Sequence, residues 1–242
     1  GSNSVDLQAL RGELHVAVSP EIAIASGLES LTLVAIDRLV SNGQTWLYGA
    51  SDRSYTWVID GARSGHLTST LVDDDNRLLA FENLSAIRAG AHDDIFQVTT
   101  ASPLLSLDGG EAVTADFVDY SQVNGNLTIN LTEALTGQNG AISGVEGIRG
   151  NNSGPSSLHT AQLVGPDSGA LWTIGGVSDN ALADGVNDGQ VTFGEQTVTF
   201  IDFNRLTGGA GVDTFNQLEG VVLGTLEGGA GNDIFNVHLA GA

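Results

Sequence analysis

The apolar residues of this chain fall in short runs. Examples are "HVAV" (15–18), "TLVAI" (32–36), "TWVI" (56–59), "LTINL" (127–131), "ALWTI" (170–174), "TVTF" (197–200) and "VVLGTL" (221–226). Many alternate apolar and polar with a period of two and are rich in Val, Ile, Thr and Phe. Gly, Asn, Asp and Ser interrupt them about every 8 to 12 residues, the spacing of an all-β chain with many turns. The stretch from Pro20 to Leu39 could be scored as helical by period. Its β-branched content favours strand instead.

The runs repeat. "FENLSAIRAGAHDDIF" (81–96) matches "FIDFNRLTGGAGVDTF" (200–215) at a shift of 119, and "LHVAV" (14–18) matches "LTINL" (127–131) at a shift of 113. Trp57 and Trp172 stand 115 residues apart. A drift of a few residues is what insertions in loops produce. Two homologous modules follow, 1–120 and 121–242. A shorter period lies inside them: "GGAGVDTFN" (208–216) returns 20 residues later as "GGAGNDIFN" (228–236). A step that short fits one coil of a parallel solenoid. The expected fold is therefore a right-handed parallel β-helix or β-roll-like solenoid. The alternative is a tandem β-sandwich, two immunoglobulin-like domains of about 115 residues each.

In a stacked fold, repeated corners become stacked chemistry. The glycines expose carbonyls at the corner, and the aspartate in the sixth position ends it. Two such corners in register would gather carbonyls and two carboxylates into an all-oxygen cage suited to Ca²⁺, which takes about 6 to 8 oxygen ligands. Turn geometry alone gives no obvious reason for stacked aspartates. The two phrases resemble the GGxGxDxUx nonapeptide of RTX proteins, whose β-roll binds Ca²⁺ between successive coils. By that resemblance Asp213 and Asp233 would supply side-chain oxygens. Gly208, Gly209, Ala210 and Gly211, with Gly228, Gly229, Ala230 and Gly231, would supply carbonyls. The match covers about 30 residues, and its 20-residue step is longer than that of RTX rolls. In the first module the corners read as degenerate. "AGAHDDIF" keeps Asp94 as a weaker candidate but loses two glycines, and "GGEAVTADF" has Thr114 where the aspartate is expected. Asp93 and Asp94 read there as a solvated turn, and Asp73–Asp75 as an exposed charged loop.

Over most of its length the chain resembles, by pattern, the repeats of very large exported bacterial proteins: haemagglutinin-like, filamentous or calcium-binding adhesins. That resemblance implies a secreted or cell-surface location. It also implies a non-catalytic structural or adhesive role, with neighbouring repeats and a host-cell, matrix or polysaccharide surface as partners.

Charge narrows the classes. There are 29 acidic residues against 8 arginines and no lysine, for a net charge of −21. No clustered positive charge is available to hold nucleic acid or an anionic membrane, and no apolar run is long enough for a membrane helix. Solubility in a salty medium or binding of hard cations would account for the acidity. Cysteine is absent, which removes disulfides and thiolate metal sites. The five histidines have no HxH or HExxH spacing and read as ordinary positions. Trp57 and Trp172 read as equivalent core fillers, and Asn216 and Asn236 as an internal stacked amide ladder. The competing function is a β-helical polysaccharide lyase, hydrolase or epimerase, for which Asp93–Asp94 or Asp73–Asp75 would have to supply the catalytic carboxylates.

Overall fold

The computed structural model describes residues 3–18, 21–26, 29–34, 36–69, 79–100, 104–131, 135–137, 140–152, 159–175, 187–218 and 224–238. These residues form strands, turns and bends, with no helix long and apolar enough to cross a membrane. Asp73–Asp75 lie outside them. The strand reading of Pro20 to Leu39 agrees with the fold: Glu21–Ser26 and Glu29–Val34 form an antiparallel hairpin, and Arg38–Val40 is a third strand.

The chain forms two compact units. One holds Gly1–Val118 with Asn139–Val145, the other Asp119–Gln138 with Glu146–Ala242. The main division falls between Val118 and Asp119, and a short later segment joins the first unit.

In the first unit the chain shuttles between two sheets. The parallel ladder of one sheet runs Leu14–Ala17, Thr45–Tyr48, Ala86–Arg88, Ser106–Asp108 and then Ile142–Ser143. In the other sheet Ser4–Asp6 pairs with Arg38–Val40, Arg38–Val40 with Leu79–Glu82, and Tyr55–Gly61 with Ile95–Val98, all in parallel. Ser64–Ser69 joins these two parallel sets by antiparallel pairing. Parallel ladders inside one unit are not how an immunoglobulin-like sandwich is built, since that fold pairs its strands antiparallel.

The second unit repeats the scheme. Leu127–Asn130, Ala161–Val164, Arg205–Thr207 and Thr225–Glu227 form one parallel ladder. Leu171–Ile174, Thr214–Gln217 and Ile234–Val237 form another. Gly189–Phe193 and Gln196–Ile201 add antiparallel strands beside Leu171–Ile174.

Alternation in the sequence becomes alternation between core and solvent. Thr45 and Leu47 are buried while Trp46 and Tyr48 are half-exposed. Parallel register then aligns like with like along the ladder. Val16, Leu47, Ile87, Leu107 and Ile142 form one apolar column, each side chain almost wholly enclosed. Each such side chain contributes about 1.5–3 kcal/mol by leaving water. Aromatic columns fill the other side of each core. Trp57 stacks on Phe96 with centroids 6.3 Å apart, and Trp172 stacks on Phe215 at 5.4 Å, which stacks on Phe235 at 4.9 Å. Both tryptophans are fully buried, as their equivalence in the repeat suggested.

Candidate functional site

The strand register brings the two nonapeptide phrases together. Thr214, Phe215 and Asn216 pair with Ile234, Phe235 and Asn236. Asn236 Nδ2 donates to Asn216 Oδ1 at 2.7 Å, but this amide pair lies on the exposed face and not inside, because Phe215 takes the buried position. The preceding residues, Asp213 and Asp233, stack in the same column with Ala170 one level back.

The Asp213 carboxylate is fully buried and accepts three N–H groups. Oδ1 takes the backbone N–H of Ala170 at 2.9 Å and the Trp172 indole N–H at 3.3 Å. Oδ2 takes the backbone N–H of Gly209 at 3.1 Å. Asp233 repeats the move, its Oδ1 accepting the N–H of Asp213 at 3.0 Å. Each aspartate thus satisfies a corner amide that the sheet ladders cannot reach, and buried backbone donors need such partners. The glycines let the corners approach. A Cβ at Gly228 would overlap Asp233 Oδ2, and Gly229, at φ +88°, occupies the left-handed region. The carbonyl of Gly209 accepts the N–H of Ala230 at 3.0 Å, so this corner carbonyl faces the next corner.

The first unit contains the same device. Asp94 is fully buried; Oδ1 accepts the N–H of Tyr55 at 2.6 Å and Oδ2 that of Gly90 at 3.2 Å. The N–H of Asp94 in turn donates to Asp116 Oδ1 at 2.7 Å. The flanking backbone bonds also correspond: Glu111 N–H to the Gly90 carbonyl matches Ala230 N–H to the Gly209 carbonyl. Two expectations from the sequence do not hold. Asp94 is not part of a solvated turn. The aspartate absent at Thr114 stands at Asp116, because "GGEAVTAD" has two more residues than "GGAGND" between glycine and aspartate. Asp93 secures the longer loop, its Oδ1 accepting the N–H of Thr114 at 2.6 Å and of Ala115 at 3.2 Å. The signal that would have revealed Asp116 is the hydrophobic pair after it, "FV", which keeps strand register when the insertion is allowed.

Burial dominates the electrostatics. It pushes the Asp94 carboxyl up to about 6, against the opposing pull of the Tyr55 and Gly90 amides and the Trp57 indole. Burial raises Asp213 too, with the Asp233 charge adding and the Trp172, Ala170 and Gly209 donors opposing. At Asp93 the desolvation is outweighed by the Thr114 and Ala115 amides, which hold its carboxyl below the usual range.

The residues expected to ligate Ca²⁺ are therefore adjacent, and the Asp213 oxygens are already engaged by N–H donors. Gly208–Gly211 and Gly228–Gly231 lie one above the other through the Ala230–Gly209 bond. Among the described residues no three of His, Cys, Asp and Glu converge as a metal-holding group. A carboxylate between amide donors is a good structural acceptor and, when neutralised by a proton or cation, loses the cost of its buried charge.

No family model, no curated protein and no solved structure matches this chain.

Proposed function

We propose that the chain is a non-catalytic structural module of a large exported bacterial protein, built as a right-handed parallel solenoid whose corners are locked by stacked aspartates. The observation that carries this reading is the recurrence of one three-part device in both units. A buried aspartate takes the amide one level back, takes its own corner amide, and gives its N–H to the aspartate one level on. Such a device serves stacking and can be repeated without limit, which suits a stalk or array. In a stacked fold, removing residues 219–242 should lower the melting temperature by one neighbour interaction and leave the remainder folded. Collapse of the whole chain on that truncation would count against the solenoid. Measurable turnover on a panel of neutral and acidic polysaccharides would replace the structural role with the enzymatic one.

A second reading adds Ca²⁺ at the corners formed by Gly208–Gly211 and Gly228–Gly231 with Asp213 and Asp233. It is favoured by the buried Asp213 charge, which Asp233 makes more costly and a divalent cation would offset. An extracellular site of weak affinity fills only after export. Binding to the folded state alone stabilises it by about 1.4 kcal/mol at ten times Kd. Chelation should then lower the melting temperature and Ca²⁺ restore it, with Asp233→Ala losing most of the response. A melting curve indifferent to chelator removes calcium and leaves the aspartate ladder intact.

A further inference from the structure

The first unit carries aromatic side chains on a sheet face where the matching strands of the second unit, Leu127–Asn130 and Ala161–Val164, have none. In the ladder Leu14–Ala17, Thr45–Tyr48, Ala86–Arg88 and Ser106–Asp108, register places His15, Trp46, Ala86 and Ser106 in one row. Ala17, Tyr48, Arg88 and Asp108 form the next. Both rows stand on the face opposite the Val16–Leu47–Ile87–Leu107 column. The Tyr48 ring lies beside His15, centroids 5.4 Å apart, and beside Trp46 at 6.3 Å, the planes inclined by only 25° and 28°. The Tyr48 hydroxyl meets His15 Nδ1 at 2.8 Å, and His15 Nε2 meets Glu13 at 3.1 Å. Arg88 pairs with Asp108 at 3.3 Å, with its side chain half-exposed.

The fold does not require these rings. At the equivalent places the second unit has Thr128 for His15, Gln162 for Trp46 and Val164 for Tyr48. There the face is closed by short polar links, Gln162 Nε2 to Thr207 Oγ1 at 2.9 Å and Arg205 to Glu227 at 2.6 Å. The Glu13–His15–Tyr48 chain has the order of an acid, a base and a nucleophile, but its hydroxyl is not activated. Burial raises the Tyr48 phenol, Glu13 and Asp108 add to the rise, and Arg88 alone opposes it. The strip is equipped to bind rather than to attack.

We propose that this strip is a carbohydrate-binding surface that takes a linear, neutral glycan along the stacking direction. A pyranose offers an apolar C–H face to an aromatic ring and an edge of hydroxyls to carboxylate and guanidinium groups. Parallel strands recur about every 4.8 Å, close to the length of one sugar residue in an extended chain. Four levels therefore present Glu13, Trp46, Tyr48, Arg88 and Asp108 to successive residues. Local charge selects against acidic glycans, since Glu13 and Asp108 face a single Arg88 on a chain of net charge −21. The inference rests on the reading of the chain as an extracellular module only for where it meets glycans; it needs neither the corner aspartates nor a metal.

The test is affinity gel electrophoresis in soluble xyloglucan, galactomannan, mixed-linkage glucan and dextran, with polygalacturonate as the acidic comparison. At least one neutral polymer should retard the protein and polygalacturonate should not. Trp57 and Trp172 are fully buried, so a change in tryptophan emission on binding reports Trp46. The double variant W46Q/Y48V installs the residues that the second unit already tolerates, and should weaken binding at least tenfold with unchanged melting. Arg88→Gln keeps the rings and should weaken binding severalfold, which preserves the test if the double variant folds poorly. No retardation by any neutral polymer, wild-type binding in both variants, or equal retardation by polygalacturonate would overturn the proposal. Failure of the truncation or chelation experiments above would leave this result standing, so the two readings fail separately.

Discussion

The corners of the two units share a hydrogen-bond scheme but differ in what surrounds it. Asp213 has the Trp172 indole N–H as a third donor. Asp94 has Trp57 in the equivalent place, near enough to favour the charged form, yet the Trp57 N–H falls short of hydrogen-bond geometry and finds no other partner. The second unit has Gly208 where the first has Ala89, and a two-residue-shorter loop before Asp233 than before Asp116. The backbone device is thus constant, while its fit varies. What both corners keep is the amide-accepting carboxylate. Glycine content and loop length are adjustable around it.

The largest expected effect comes from removing that carboxylate. Asp213→Ala leaves the Ala170 and Gly209 amides and the Trp172 indole without their acceptor. Each buried unpaired donor costs about 1–3 kcal/mol, so a total loss of about 3 kcal/mol or more is expected by urea denaturation at pH 5. Asp94→Ala should cost less, because it strands fewer donors. Equal losses would mean that the Trp172 contact is incidental.

The next effect is a pH dependence assigned to one residue. Asp94 titrates near 6 when folded and near 3.8 when unfolded. Between those values the folded chain holds a proton that the unfolded chain has released. Its contribution is fully present below about pH 4 and is lost as the pH rises through about 6. The change is on the order of 1–3 kcal/mol. Carboxyls held low, such as Asp93, act oppositely, but their stabilisation is lost only as the pH falls below about 4. Denaturation midpoints at pH 4.5 and 7 should therefore differ in the wild type, and the difference should shrink in Asp94→Ala. An unchanged difference would assign the effect elsewhere, with Asp213 the first alternative.

The sequence and the fold agree most where spacing is short and regular. The 20-residue step, the paired tryptophans and the Asn216–Asn236 pairing all follow from side chains recurring at one level and the next. Asp116 was missed because a fixed-length phrase was expected, whereas strand register tolerates two extra residues in a corner. Asp94 was misread for a related reason: next to His92 and Asp93 it looks like part of a polar turn, and only the fold shows that its neighbour points outward while it points inward. The aromatic strip is invisible for a different reason. "TWLY" shows its alternation, but nothing local says that Trp46 lies beside His15 and Ala86, because the steps between them are 31 and 40 residues and contain whole hairpins.

A smaller effect should follow from making the corners alike. Gly208→Ala copies Ala89 into the second unit. A Cβ there would meet the Gly228 carbonyl and Asp213 Oδ2, so one of them must shift, at a cost of about 1–3 kcal/mol. A thermal melt as stable as the wild type would show that the second corner relaxes as freely as the first.

The smallest expected difference isolates the indole. Trp57 and Trp172 are both fully buried, and both stack on a phenylalanine one level on. Replacing either by Phe removes similar volume and a similar amount of packing, so that part of the loss should cancel between the two variants. What remains is the hydrogen bond. Trp172→Phe deprives Asp213 of one donor, while Trp57→Phe removes an N–H that has no acceptor and whose burial is itself unfavourable. Trp172→Phe should therefore be the more destabilising by about 1 kcal/mol. It should also raise the Asp213 carboxyl further, because a group that favoured its charged form is gone. Its excess loss should accordingly shrink as the pH falls and that carboxyl takes up its proton. An excess that stays constant across an acid titration would place the difference in ring packing, and the two corners would then be electrostatically the same.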